Sequence, residues 1–348
     1  MTIVADIYPY VVGVDTHARS HTFAILSRGR LVDTQTFPTN QAGLARAVDW
    51  IGRRTAGEIS DTVVSAEGTS SYGAQLAGML AEHGYRVVEA PTPHRGRDGK
   101  TDALDAQRAA RGVIDLEDTA LRDHRRHGDL RDAIAALSTL RAHYTDQRTA
   151  LINMLTALLR VTDLGIDARG PLTATQITQI AGWRPRREPE PLHIQRQIAI
   201  AHARDIGDLD RRLAANKSQL ADLTARHSPQ LLDIYGVGPV SAAVIIAAWS
   251  HPGRVRSEAA FAKLAGVCPI PASSGNTTRH RLNRGGDRRL NWALHQIITT
   301  RLSHDPRTKA YVARREAEGK TPKEIRRCLK RYLARQIYRT LTAPLDNT

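Results

Sequence analysis

The chain has 348 residues, with 50 Lys and Arg against 35 Asp and Glu and a formal net charge of +15. That length gives room for two or three domains with a sizeable core, and the basic excess points to a polyanionic partner. The two cysteines, Cys268 and Cys328, have no metal-ligand neighbour at short spacing, which argues against a disulfide framework and against a zinc site.

Residues 9–17 read as a strand. Thr22 to Leu26 and Leu31 to Phe37 read as a hairpin around Ser27-Arg28-Gly29-Arg30. Residues 41–56 carry Leu44, Ala47, Val48 and Ile51 on one helical side. A strand is expected at Thr62–Ala66, a helix at Tyr72–Glu82 and a strand at Tyr85–Ala90. Pro91, Pro93 and Gly96 then mark a loop, and a helix starts near Thr101, a suitable N-cap. Three strands joined by short turns, followed by α/β alternation, predict a mixed sheet with helices on its faces. Residues 1–110 hold 11 basic and 12 acidic side chains, so the positive charge lies almost wholly in the remainder.

From about 129 to 160, Leu130, Leu137, Tyr144, Leu151 and Leu158 recur every seven residues. Ile134 and Leu155 mark a second seam, which Arg141 and Arg148 interrupt. Ile206, Leu213 and Leu220 repeat the spacing beyond a break at Pro185, Pro189 and Pro191, with Leu209 and Leu223 beside them. Two long helices follow, either as a coiled-coil arm, within the chain or between protomers, or as ordinary amphipathic helices of a bundle. From about 228 a compact, basic, Gly-rich region begins. Its apolar maximum, Val237 to Trp249, is too short and too interrupted to span a bilayer. The N-terminus lacks a basic segment followed by an apolar one. The chain therefore reads as a soluble cytoplasmic protein without a membrane partner.

Four carboxylates stand out. Asp15 lies in Val11-Val12-Gly13-Val14-Asp15-Thr16-His17 and Glu67 in Thr62-Val63-Val64-Ser65-Ala66-Glu67-Gly68. Each is a lone acid at the end of a β-type run, where burial is costly without a partner or a metal. Asp102 and Asp105 are spaced i and i+3 on the predicted helix and share one face. Such a set suits hard cations such as Mg²⁺, and two such ions can stabilise both oxygens of an in-line phosphodiester exchange. The element order resembles the ribonuclease-H and RuvC group of nucleases. Asp98, in a Gly-flanked loop, reads as solvated; His17 and His21 could assist near the first strand, with a surface role the stronger reading.

Three further segments carry candidate chemistry. Leu232 to Ala243 contains Tyr235-Gly236-Val237-Gly238-Pro239, resembling a helix-hairpin-helix. Gly236 and Gly238 would let backbone approach a phosphate at the following helix N-terminus. Ala272-Ser273-Ser274-Gly275 places a hydroxyl before Gly, with Arg279, Arg281, Arg284, Arg288 and Arg289 close behind. A serine there could attack a phosphodiester while the arginines offset the developing charge. Residues 307–339 hold 12 Lys and Arg against three Glu and could line a nucleic-acid groove.

Taken together, these pieces resemble transposases of the insertion-sequence IS110 family, also called DEDD transposases and related to the Piv/MooV DNA invertases. The resemblance rests on Val12-Gly13-Val14-Asp15-Thr16-His17, Ala66-Glu67-Gly68, Lys100-Thr101-Asp102-Ala103-Leu104-Asp105-Ala106 and Tyr235-Gly236-Val237-Gly238-Pro239. It continues through Leu264-Ala265-Gly266-Val267-Cys268-Pro269-Ile270-Pro271-Ala272-Ser273-Ser274-Gly275 and Asn283-Arg284-Gly285-Gly286-Asp287-Arg288-Arg289-Leu290. It implies an α/β RuvC/ribonuclease-H-like N-terminal domain over 8–125, a helical coiled-coil linker over 126–227 and a mainly helical transposase domain over 228–348. It implies that Asp15, Glu67, Asp102 and Asp105 hold Mg²⁺, with Mn²⁺ able to substitute. A C-terminal serine, Ser274 or Ser273, would become linked to DNA. The implied partners are donor and target double-stranded DNA, a structured noncoding guide RNA and further copies of the chain, as a dimer or tetramer. A nucleoid association goes with them. Two rival readings are a RuvC-like Holliday-junction endonuclease that uses water, and a nucleic-acid-binding protein without catalysis.

Overall fold

The computed structural model describes residues 2–91, 101–125, 130–184, 186–271, 280–281, 283 and 285–343. They fall into two compact units. The first comprises Met1–Asp129 and Trp249–Phe261, the second Leu130–Ala248 and Ala262–Thr348.

The first unit opens with a single-turn helix, α1 (Val4–Ile7), which the hydropathy pattern does not reveal. Strands β1 (Tyr10–Thr16), β2 (Ser20–Ser27) and β3 (Arg30–Pro38) follow. Helix α2 (Gln41–Arg54), β4 (Thr62–Ala66), α3 (Ala74–Glu82), β5 (Arg86–Glu89) and α4 (Asp102–Ile114) then alternate, as the sequence predicts. The sheet order is β3-β2-β1-β4-β5. Its first three strands are antiparallel, and β1, β4 and β5 are parallel, so the expected mixed sheet is present.

Strand alternation sorts the two faces. Val12, Val14, Phe23, Ile25, Val64 and Val87 meet α2 and α3 in one buried cluster. The same cluster takes Leu44, Ala47, Val48 and Ile51, the predicted apolar side of α2. Val11, Leu26, Val63 and Val88 meet Ala110 and Val113 of α4 in the other. Asn40 starts α2 by accepting from the Gly43 amide (2.8 Å), and Thr101 starts α4 by accepting from the Leu104 amide (3.3 Å). The Trp249–Phe261 segment is tied into this unit by Arg254, whose Nη2 donates to Glu89 Oε1 at 2.8 Å, and by Arg256, which donates to the Asp118 carbonyl at 2.7 Å.

In the second unit the two predicted long helices are α5 (Leu130–Val161) and α7 (Glu190–His227), with the short α6 (Ala174–Ala181) between them. Leu137 meets Asn216, Arg141 meets Leu213 and Arg148 meets Asp210, so α5 and α7 run antiparallel within one chain. Leu155, Leu159, Ala199, Ala203 and Ile206 close one end of the pair. No residue from Thr139 to Met154 is fully buried. The two arginines that interrupt the heptads are the reason. Arg141 spans the seam to the Leu213 carbonyl at 2.8 Å and Arg148 pairs with Asp210, so polar contacts replace apolar knobs along the middle.

The rest of this unit comprises α8 (Pro239–Trp249, ending at the unit's border), the last residues of α9 (Glu258–Leu264, which starts in the first unit), a two-stranded ribbon of β6 (Ile270–Pro271) and β7 (His280–Arg281), α10 (Arg288–His304), α11 (Pro306–Ala317) and α12 (Pro322–Thr342). Side-chain caps set three of these starts: Asp287 for α10, Asp305 for α11, and Thr321 with Glu324 for α12. Among the described residues no helix is long and apolar enough to cross a membrane.

Candidate metal centre and nucleic-acid surfaces

Asp15 is the penultimate residue of β1. Its parity with Val11 sends it to the α4 face. Asp102 and Asp105 occupy the first turn of α4, above that face. Chain order alone does not require this meeting. The packing of α4 over β1 and β4 produces it, and Ser65 Oγ donating to the Ala109 carbonyl at 2.7 Å fixes the helix against β4. Glu67 follows β4 directly, and its amide donates to the Val14 carbonyl at 3.0 Å, extending the ladder beside Asp15. The Thr16 hydroxyl donates to the Glu67 carbonyl at 3.1 Å. The backbone of Glu67 is thus adjacent to Asp15, at the carboxyl ends of two parallel strands.

The acids differ in environment. Asp15 is 6% exposed, whereas Asp102 lies open at the helix start. Burial pushes the Asp15 carboxyl above its ordinary value, His17 pulls it back, and the negative fields of Asp102 and Asp105 raise it further. Asp105 accepts from Arg108 Nη1 at 2.7 Å. An acid pushed up by burial and by two neighbouring acids is one that a bound cation would stabilise as the carboxylate. Asp15, His17 and Asp102 each offer one donor atom, all within 4.8 Å of one another. This oxygen-rich set fits a divalent cation.

The two histidines depart from the surface reading in different ways. His17 is half-exposed, but its Nε2 lies 3.0 Å from Asp15 Oδ2 and 3.5 Å from Asp102 Oδ1. His21 is 1% exposed, so the surface reading is corrected for it. On β2 it pairs with Thr16 of β1 and has the parity of Phe23 and Ile25, which places it on the face opposite Asp15. Burial lowers its pKa. The signal for His17 was its parity: a residue two beyond Asp15 shares that face of the strand.

The second unit holds the other candidates. Gly236 has φ +82, and a Cβ there would sit 3.3 Å from the Ile297 carbonyl oxygen. The left-handed backbone and the close approach of α10 therefore require Gly. The Gly238 amide is taken by Ser241 Oγ at 3.0 Å, so the first turn of α8 caps itself. No α-helix precedes the turn directly. A 3₁₀ turn at Pro229–Leu231 links it to α7.

Arg289 donates to the Ser138 carbonyl (2.5 Å) and to Thr139 Oγ1 (3.2 Å), a structural tie between α10 and α5. Arg288 is exposed at the start of α10. Arg281 lines a pocket of about 690 Å³ together with Lys320, Lys323, Arg326, Arg327 and Lys330 of the basic C-terminal segment. Ser273, Ser274, Arg279, Arg284 and Asp98 lie outside the described residues.

Comparison with known proteins agrees with these motifs. A family model for IS110-type DEDD transposases, described as "Transposase", matches residues 12–162. A second, described as "Transposase IS116/IS110/IS902 family", matches residues 228–313. The "Insertion element IS116 uncharacterized 44.8 kDa protein" of Streptomyces clavuligerus is 25% identical over 295 residues, covering 70% of this chain and 73% of that protein. The "Insertion element IS110 uncharacterized 43.6 kDa protein" of Streptomyces coelicolor is 33% identical over 110 residues, 31% of this chain and 27% of that protein.

Proposed function

The chain belongs to the IS110 family of DEDD transposases, and from that premise we propose that it cuts and exchanges DNA strands at a metal centre held by Asp15, Glu67, Asp102 and Asp105. The observation that carries this reading is the meeting of Asp15 with the first turn of α4 on one face of the sheet. The preferred ion is Mg²⁺, with Mn²⁺ as a substitute. When bound, it supplies positive charge beside the scissile phosphate. The acids hold it, and buried Asp15 excludes water from one side of it.

The nucleophile in this reading is Ser274, with Ser273 as the alternative. Its hydroxyl oxygen forms a bond to phosphorus, a sugar oxygen leaves and takes a proton, and the phosphodiester bond is conserved as a serine–DNA ester. A later sugar hydroxyl reverses the step on a new strand, so the exchange needs no external energy source. Sequence choice comes from a structured noncoding RNA that pairs with donor and target DNA, which leaves the protein to bind shape and charge. The +15 net charge and the basic segment of α11 and α12 support polyanion binding. The chain works as a homo-oligomer, dimer or tetramer.

The test compares two variants on labelled DNA. Asp15→Asn removes a metal ligand and adds no repulsion, so it should abolish cleavage and leave nucleic-acid binding within a few-fold. Cleavage retained in that variant refutes the metal role. Ser274→Ala should prevent trapping of a denaturation-resistant protein–DNA adduct. An adduct that survives moves the role to Ser273, and cleavage with no adduct in either chain selects the water-using junction endonuclease.

A further inference from the structure

His17 has a placement that neither the acidic quartet nor the family match accounts for. It follows Asp15 by two residues, so the pleat gives both the same face. Its amide donates to the Ser20 carbonyl at 3.1 Å, which holds the backbone in the β1–β2 turn. Its ring reaches back over the sheet end. One nitrogen, Nε2, faces two carboxylates from different elements: Asp15 Oδ2 of β1 at 3.0 Å and Asp102 Oδ1 of α4 at 3.5 Å.

A hydrogen bond explains only half of this. A single ring N–H is directed at one acceptor. Donation to Asp15 leaves the Asp102 contact without a hydrogen. The spacing is also compatible with another relation. An octahedral ion with bonds of about 2.1 Å sets neighbouring ligands about 3.0 Å apart. A tetrahedral ion with similar bonds sets them at about 3.4 Å. The 3.0 Å contact is also a normal hydrogen-bond length, and together the two separations, 3.0 and 3.5 Å, are close enough for the three groups to share one small cation. Side-chain exposure fits as well. Asp15 is 9% exposed, His17 51% and Asp102 60%, so the set has a closed floor and an open mouth through which water or a phosphate oxygen could enter.

We propose that His17 is a nitrogen ligand of the metal centre, making Asp15, His17 and Asp102 a mixed carboxylate–imidazole set for one divalent ion. The inference rests on the metal reading of the proposed function and adds a donor of another chemical class to it. Oxygen donors alone suit Mg²⁺. An imidazole nitrogen raises affinity for Co²⁺ and Ni²⁺ relative to Mg²⁺ without excluding Mn²⁺. The chain should therefore prefer transition-metal ions more than an all-carboxylate centre does. Asp105, tied to Arg108, would serve from the neighbouring turn of α4.

The test reads the ligand sphere directly. The full chain is given Mn²⁺ at half the protein concentration, so that its tightest site fills first. Electron spin-echo modulation should then show the coupling of a coordinated imidazole nitrogen, and His17→Gln should lose that coupling while still binding Mn²⁺. By calorimetry, His17→Gln should lower Co²⁺ affinity by about 10-fold or more, with a much smaller change for Mg²⁺. The ring is half-exposed, so the variant should keep the circular dichroism of the parent.

Bound Mn²⁺ without nitrogen coupling, coupling that persists in His17→Gln, or unchanged Co²⁺ affinity overturns the proposal and leaves the acidic centre standing. Absence of Mn²⁺ binding in the parent chain removes both.

Discussion

Gly13→Ala tests whether the fold itself sets the metal centre. Gly13 lies between Val11 and Asp15 on the α4 face of β1. A Cβ there would stand 1.9 Å from the Ala106 carbonyl oxygen, 2.5 Å from the Ala110 amide nitrogen and 2.8 Å from the Ala110 Cβ. The two shortest contacts are with helix backbone, which no rotamer change can relieve. Reaching an ordinary contact of about 3.4 Å requires α4 to retreat by about 1.5 Å. Overpacking of this kind costs about 1–3 kcal/mol, and rigid backbone on both sides argues for the upper end. The same retreat carries Asp102 and Asp105 away from Asp15, by about half of the 3.0 Å separation between Asp15 and His17. Misplacement on that scale costs on the order of 100-fold in rate. Hydrogen exchange of the β1 and α4 peptides in the full chain reads the local stability, Mn²⁺ titration reads the centre, and strand cleavage reads the outcome. All three should deteriorate. Gly78→Ala is the control, because nothing lies within 4 Å of its Cβ position on α3. It should be neutral or stabilising by up to about 1 kcal/mol. Unchanged exchange and unchanged Mn²⁺ affinity in Gly13→Ala would refute the claim that this glycine fixes the distance between β1 and α4.

Two further outcomes concern stability. Arg254 is 4% exposed and ion-paired with Glu89, and burial lowers its pKa. Arg254→Ala should destabilise the first unit by about 3 kcal/mol, because it leaves the Glu89 carboxylate without its closest partner, and Arg254→Met by less, because Met keeps the packing volume. Faster hydrogen exchange at β5 checks this. Asp305 caps α11, and hydrogen bonds from Thr308 hold its carboxyl below the ordinary range. Its folded pKa is depressed, so its contribution is present above the unfolded value and is lost as pH falls through the folded one. Asp305→Ala should therefore cost about 1 kcal/mol near neutrality and less at strongly acid pH, measured as the difference in denaturation midpoint between the two chains.

Much of the first unit can be read from local pattern, because each of its strands carries a compact β-type run and two of its helices, α2 and α4, carry a start signal. Asn40 and Thr101 cap where their residue types suggest. Period-seven spacing identified both partners of the α5–α7 pair. It also marks the interruption at Arg141 and Arg148 but not what they meet, because Arg141 reaches a backbone carbonyl 72 positions away. Helix α1 escaped notice because four residues are too few to display a period.

The acids were legible for a different reason. An isolated carboxylate in an apolar strand has few bland explanations, whereas a histidine at a strand end has many. His17 and His21 sit four residues apart on two strands joined by a turn, and composition treats them alike. The turn places one beside Asp15 and the other beneath the opposite face. Parity along β1 separates them: counting in twos from Val11 reaches Gly13, Asp15 and then His17, and Val11, Gly13 and Asp15 all face α4. Arg254 offers no such count, since its partner Glu89 is 165 residues away and only the folded first unit brings them together. Local chemistry is therefore readable where a single strand or helix sets the geometry. It becomes unreadable where the geometry depends on which distant segment completes a unit, as Trp249–Phe261 does here.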